Sequence, residues 1–333
     1  MPVEWLTSLI DTAAVQFGTL SLMVKAVMAI VLVCLLCGSV GAIVVGNRMA
    51  FFSDAMAHSA FAGVTLGYLS VVLAGAGRDS ETAAWLVPLV MITFGAAVGA
   101  AMVYVREKTN LAHDTVIGVF FALAIGFGAM MFQVLQRVST FNPEGFLFGA
   151  VLYVSELDLL FLFGLILVTA AVFAWRYNDI VFASFNPSLA RTRRVPIRLN
   201  NYLFIVLLAL VVNLSIRAVG ALLINALLVV PAAAAANLSR NLRQMFWLTI
   251  AFSLTAGLVG FWVSLHYGVK VDRGEPVKFG PSGTIVVTAV ALFFLSMFFA
   301  AARARFGPVM RPGHSHPPGE ACSHDGAFGQ CQH

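Results

Sequence analysis

An aspartate and a histidine stand four residues apart in an otherwise apolar segment of the chain. The segment FFSDAMAHSAFAG contains Asp54 and His58, with Ser53 and Ser59 beside them. In a helix this spacing puts both side chains on one face. Carboxylate and imidazole groups are ligands for zinc, manganese and iron, so the pair predicts half of a metal site that a symmetric dimer would complete. The alternative is a helix start capped by Ser53 or Asp54, with His58 only hydrogen-bonded.

Further ionisable residues lie near the predicted starts of other helices. Asp114, which follows His113 in LAHDTVIG, is a weaker candidate metal ligand, because an aspartate in a first helical turn also complements the helix dipole. Glu156 and Asp158 have the pattern of helix-start charges. Lys25 lies near the outer end of the first span, where its side chain can extend to the membrane surface.

The end of the chain changes composition abruptly. Residues 303–333 are rich in proline, glycine, histidine and cysteine, which predicts a disordered tail. Histidine- and cysteine-rich tracts of this kind bind metals, zinc foremost, although an incidental polar tail is the alternative. The candidate ligands in the tail are His314, His316, Cys322, His324, Cys331 and His333.

The overall composition decides which elements carry these residues. Of 333 residues, 60% are hydrophobic and 11% are charged, and the mean hydropathy is +0.91. Soluble proteins have roughly a quarter of their residues charged, so a soluble enzyme is excluded. Only helices and closed barrels satisfy the backbone within a bilayer, and long uninterrupted apolar runs favour helices. The sequence therefore predicts an all-α, polytopic membrane helical bundle of about eight or nine transmembrane helices.

The apolar runs locate the spans within a membrane domain of residues 19–302. They are predicted at 19–45, 49–74, 84–105, 112–135, 156–175, 202–217, 218–237, 246–267 and 283–302. A single broken helix is the alternative for residues 202–237. Residues 145–154 are too short to cross and predict an interfacial or re-entrant helix, and residues 1–18 have the spacing of an interfacial segment.

Arginine positions orient the chain. Residues 176–199 contain Arg176, Arg191, Arg193, Arg194 and Arg198, which the positive-inside rule puts in the cytoplasm. Alternation of the spans then puts the N-terminus outside and the C-terminal tail inside, in a cell inner membrane. The basic residues behind the net charge of +5 are thus explained by the orientation of the chain in the membrane, and we expect no nucleic-acid partner. No signal peptide is evident.

Motifs for catalysis are missing from the sequence. There is no Gly-Lys dipeptide, so no Walker A loop can bind nucleotide phosphates. There is also no H-E-x-x-H or G-x-S-x-G motif. We therefore expect no catalytic residues and no permanently bound cofactor.

Four segments resemble the permease subunits of ATP-binding-cassette importers for zinc, manganese or iron. They are MAFFSDAMAHSAFAGVTLGYL, HDTVIGVFFALAIGFG, VGALLINALLVVPAAAAANL and FGPSGTIVV. The first carries the S-D-A-x-x-H signature, and the third is similar to the pattern G-x-L-L-x-x-A-L-L-x-x-P-A-A-x-A. The resemblance covers most of the membrane domain.

The resemblance implies a homodimer of type II importer-like permeases, with Asp54 and His58 as intramembrane metal ligands. It further implies ATPase subunits in the cytoplasm, which would bind ATP, and a metal-binding protein outside. FNPSLARTRRVPI is similar to the family's D-P-x-L-A-R-x-x-G-x-P segment, which docks on the ATPase. The corresponding docking residues are Asn186, Pro187, Leu189, Ala190 and Arg191. This chain departs from the pattern at Asn186, where the family has Asp, and at Arg194, where it has Gly.

Two other functions fit part of the pattern. An ion-coupled secondary transporter would also place Asp and His in spans, but the sequence has no convincing internal repeat. An intramembrane metal hydrolase could use Asp54, His58, His113 and Asp114, but no general base accompanies them. As cargo, zinc is favoured by the tail, and manganese or iron(II) would suit an Asp/His site about as well.

Overall fold

The computed structural model describes residues 20–75, 81–109, 111–138, 149, 151–185, 196–269 and 277–306. Within these ranges nine helices are long and apolar enough to cross a membrane, which confirms the predicted multi-pass helical bundle. They are α1 (Ser21–Gly46), α2 (Phe52–Leu73), α3 (Glu81–Lys108), α4 (His113–Val138), α5 (Glu156–Phe185), α6 (Ile197–Val219), α7 (Ala221–Leu238), α8 (Leu242–His266) and α9 (Pro281–Phe306). A two-residue antiparallel pair, β1 (Gly268–Val269) with β2 (Val277–Lys278), lies between α8 and α9. The predicted interfacial segment 1–18 lies outside the described residues.

Several helices extend beyond the predicted spans. Helix α5 continues to Phe185, ten residues past the predicted end at 175, and α9 continues to Phe306. At the end of the apolar part of α5, Arg176 pairs with Asp179 at 3.3 Å and stacks on Trp175. Hydropathy marks where a helix leaves the bilayer, whereas backbone hydrogen bonding continues into water. The predicted cytoplasmic segment 176–199 therefore begins as helix.

The segment 202–237 forms two helices, α6 and α7, as the two-span prediction stated. They are separated only by Gly220, whose φ of +88° is open to glycine and strained for other residues. Gly149, with φ of +70°, lies so close that a Cβ there would overlap the Val219 carbonyl. In the predicted segment 145–154, the described residues are Gly149 and 151–154, which include a single 3₁₀ turn at Val151–Tyr153 before α5.

The helices are unequally buried. Helices α1 and α6 are mostly buried in the bundle, whereas α4, α5 and α9 leave most of their surface exposed. Helix α2 packs against α3 and α4, and α7 packs against α1, α8 and α9. Close contacts occur at small residues, as where Gly95 meets Asn213 of α6 and Gly260 meets Ile285 of α9. Within the chain, the glycines of these spans thus serve helix packing.

Two ion pairs tie α1 and α6 to the start of α5. Lys25 Nζ lies 2.8 Å from Glu156 Oε1, and an Arg217 guanidinium nitrogen lies 3.0 Å from Asp158 Oδ1. Ser155 caps α5, because its hydroxyl donates to Asp158 Oδ2 and accepts the Asp158 backbone N–H. The Lys25 ammonium, expected from the sequence to extend to the membrane surface, thus has a carboxylate partner at the start of α5.

The Arg217–Asp158 pair should contribute to stability. The two side chains are only 23% and 11% exposed, so Asp158→Asn leaves a largely desolvated guanidinium without its counter-charge. We expect a fall of a few degrees in Tm. A thiol-reactive fluorogenic dye can measure it, because Cys34 and Cys37 are free and buried and react only on unfolding. The tail cysteines are first replaced by serine.

A double-mutant cycle provides the control for this pair. Arg217→Gln in the Asp158→Asn background should lower Tm less than it does in the unsubstituted chain. Strictly additive losses would show that the two charges do not stabilise each other.

Gly149 offers a second test of the packing around the α6–α7 break. Gly149→Ala combines a disfavoured backbone conformation with a backbone overlap, so we expect a clear loss of folded protein. Gly164→Ala is the matched control, because a Cβ at Gly164 meets no atom within 4 Å. Detergent-solubilised yield and size-exclusion profile measure both variants. Equal behaviour of the two would contradict the assigned contact.

Candidate metal centre

A tight turn sets the start of α2 and thereby the position of Asp54. Arg48, between α1 and α2, has a left-handed φ of +57°, and α2 begins at Phe52. Asp54 lies in the first helical turn, but neither it nor Ser53 caps the helix. Instead the Ser53 hydroxyl donates to the Ala50 carbonyl at 3.1 Å. The alternative of a capped helix start is therefore wrong, and the Asp54 carboxylate is free for tertiary contacts.

Asp54 has its partner on another helix. Asn225 of α7 donates a short hydrogen bond from Nδ2 to Asp54 Oδ1. Both side chains are half-buried, and apolar residues surround Asn225 along α7. A charged carboxylate in a span costs roughly 2.5–3.5 kcal/mol on insertion scales, and a donor aimed at it offsets part of that cost.

The other atom of the same amide has no partner in the part of the chain that the structure describes. Asn225 Oδ1 is buried there without a hydrogen bond. A buried acceptor left in this state costs about 1–3 kcal/mol. One polar atom beside Asp54 is therefore available to a further group.

His58 lies one helical turn beyond Asp54 on the same face of α2. Its half-buried ring meets Phe121 of α4 edge to face, with the centroids 5.0 Å apart. This contact limits the rotation of the imidazole. Helices α7 and α4 thus hold the two predicted ligands of α2, the first through a hydrogen bond to Asp54 and the second through ring packing on His58.

Within one chain these groups do not complete a metal site. Among the described residues, no three His, Cys, Asp or Glu side chains are close enough to hold a metal together. Asp114 lies exposed in the first turn of α4 and does not form such a group with Asp54 and His58. The constellation that a hydrolase would need is therefore not formed by these three side chains.

The remaining predicted site residues fall outside the described part of the chain. They are the docking residues Asn186, Pro187, Leu189, Ala190 and Arg191 and the tail residues His314, His316, Cys322, His324, Cys331 and His333. The same holds for the side chain of His113.

Asn225 was missing from the sequence-based site. A signal for it existed, because an amide inside an apolar helix is costly for the same reason as Asp54 is. Its partnership with Asp54 could not be read from spacing, since the two residues are 171 positions apart.

Comparison with known proteins places the chain among membrane transport components. A manganese transport system membrane protein, MntC, of Halalkalibacterium halodurans is 27% identical over 285 residues, covering 86% of this chain and 89% of that protein. A high-affinity zinc uptake system membrane protein, ZnuB, of Haemophilus influenzae is 27% identical over 264 residues, covering 79% of this chain and 92% of that protein.

A solved structure, PsaBC from Streptococcus pneumoniae in complex with Fab, has the same fold. It superposes with a TM-score of 0.69 at 22% identity, over 90% of this chain and 98% of that one. The family model described as the ABC 3 transport family matches residues 19–300, which span all nine described helices except the end of α9. The chain therefore belongs to the ABC 3 transport family.

Proposed function

We propose that this chain is the membrane-spanning permease of an ATP-driven importer that moves a divalent transition metal ion, zinc first, into the cytoplasm. The observation that carries the proposal is the Asp54–His58 pair, two metal-ligand side chains on one face of α2 inside an apolar bundle. Asn225 and Phe121 hold that pair in place. Family membership and relatives named for manganese and zinc transport support it.

The charges of the pair suit a passing cation. Two copies of the chain, meeting as a homodimer, would bring two carboxylates and two neutral imidazoles to one divalent ion. This neutral assembly offsets the loss of the ion's hydration shell. Binding that is favourable but not too tight lets the ion move on.

The other partners follow from what the chain lacks. It has no phosphate-binding loop, so ATP would be hydrolysed by separate cytoplasmic ABC ATPase subunits docked around residues 186–191. An extracytoplasmic metal-binding protein would deliver the ion to the outer face. The proposed setting is a cell inner membrane, with the N-terminus outside and the C-terminal tail in the cytoplasm.

The identity of the cargo can be tested directly. Zinc-65 uptake is measured in cells that lack their own importers and express this chain with its ATPase and binding protein, with unlabelled zinc, manganese and iron(II) as competitors. We expect zinc to compete best. Uptake that does not require the ATPase would indicate an ion-coupled secondary transporter instead.

The two ligands should be individually essential for uptake. Asp54→Ala and His58→Ala each remove a donor to the ion, so we expect uptake to fall at least tenfold while the protein still inserts and assembles. Uptake is measured with the radiolabelled metal, and insertion by immunoblot of membrane fractions.

Ser59→Ala is the matched control on the same helix. The buried Ser59 hydroxyl donates to the Met56 carbonyl of its own helix, so this variant should transport normally. Near-normal metal accumulation in Asp54→Ala or His58→Ala would refute the assigned pathway.

The histidine- and cysteine-rich tail should act outside the transport path. Deleting residues 311–333 removes the six candidate ligands of the tail but none of the described helices. We expect the initial rate of uptake to persist and the retention of metal in the cytoplasm to fall. Time courses of uptake and efflux separate the two effects, and a complete loss of initial uptake would contradict this role.

A further inference from the structure

Asn225 differs from the other amide side chains of the described helices in what it contacts. Its nitrogen donates to Asp54, whereas Asn213 donates to a carbonyl of its own helix and Asn237 to Ser296 of α9. It is therefore the amide that joins α7 to the candidate metal centre.

The free atom of Asn225 is an oxygen of the kind that metals bind. Asn225 Oδ1 is buried and has no hydrogen-bond partner among the described residues, a state that it shares with six other buried side-chain atoms. Of these atoms it is the one whose side chain contacts Asp54, and buried polar atoms in native proteins normally have a partner from protein, water or an ion. Amide oxygens are established ligands of cations that prefer oxygen.

We propose that Asn225 belongs to the metal site: its nitrogen holds one oxygen of Asp54, and its amide oxygen is a third donor to the ion. This inference rests on the proposed function. Each chain would then offer a carboxylate, an imidazole and an amide oxygen, and a dimer would offer six donors in place of four.

The number and type of donors bear on which metal the site accepts. Zinc is satisfied by four ligands in a tetrahedral arrangement, and nitrogen from histidine suits it well. Manganese accepts six ligands and favours oxygen. An added amide oxygen on each chain therefore favours Mn²⁺ more than Zn²⁺. Asn225 therefore raises the affinity of the Asp/His site for Mn²⁺ relative to its affinity for Zn²⁺.

The test is the separate measurement of KM and maximal rate for Mn²⁺ and for Zn²⁺. Asn225→Leu has nearly the same volume and lacks both polar atoms. We expect its KM for Mn²⁺ to rise tenfold or more and its KM for Zn²⁺ to rise clearly less, because loss of an outer or added ligand typically costs 10–100-fold in metal affinity. General damage to the fold would instead lower the maximal rate for both ions together.

Two further variants make the result specific. Asn237→Leu lies on the same helix and also breaks an interhelical amide hydrogen bond, but it stands twelve residues along, about 18 Å from Asn225. It should leave the ratio of the two KM values unchanged. Asn225→Gln keeps both atoms of the amide, so it should retain the KM for Mn²⁺ better than Asn225→Leu does, and it serves where the leucine variant fails to insert.

The outcomes separate this inference from the proposed function. If Asp54→Ala abolishes uptake and Asn225→Leu leaves the ratio of Mn²⁺ to Zn²⁺ KM at its original value, the role of Asn225 is overturned and the metal pathway stands. If Asp54→Ala transports both metals normally, the pathway itself is wrong and the inference falls with it.

Discussion

Polar groups inside a bilayer must find their partners within the protein, and this constraint organises the bundle. Most hydroxyl side chains in the described helices meet it locally, as Thr65 does by donating to the Ala62 carbonyl one turn earlier. Other groups bond across helices, as Lys25, Arg217 and Asn225 do. Those bonds then fix which helices lie together, because breaking one would leave a polar atom in an apolar environment.

The cross-helix polar contacts divide into two kinds. At one end of the bundle, two ion pairs join α5 to α1 and α6, and in each pair a basic side chain lies against a carboxylate. At the start of α2, by contrast, Asp54 accepts a hydrogen bond from a neutral amide and forms no ion pair with any residue that the structure describes. The first kind stabilises the fold. The second is the arrangement on which the proposed metal site rests.

Glycine allows the backbone to approach where these contacts are made. The conformation of Gly220 lets α6 end and α7 begin within one residue, and this places Asn225 just inside α7. A straight continuous helix would carry Asn225 onward along the axis of α6, so the break contributes to the geometry of the contact between Asn225 and Asp54. The turn with Arg48 has a comparable role for Asp54 on α2.

Composition and apolar run length determined the fold class, the nine spans and their order, because insertion into a bilayer depends on local hydropathy. The same argument made Asp54 and His58 conspicuous, since ionisable residues are costly there. Helix ends were less determined, as α5 shows by continuing past Arg176, because hydropathy reports the membrane boundary and not the end of hydrogen bonding. Only the tertiary structure decided the partners. Lys25 with Glu156 and Asp54 with Asn225 join residues 131 and 171 positions apart, and such pairs depend on how helices pack, which no local periodicity encodes.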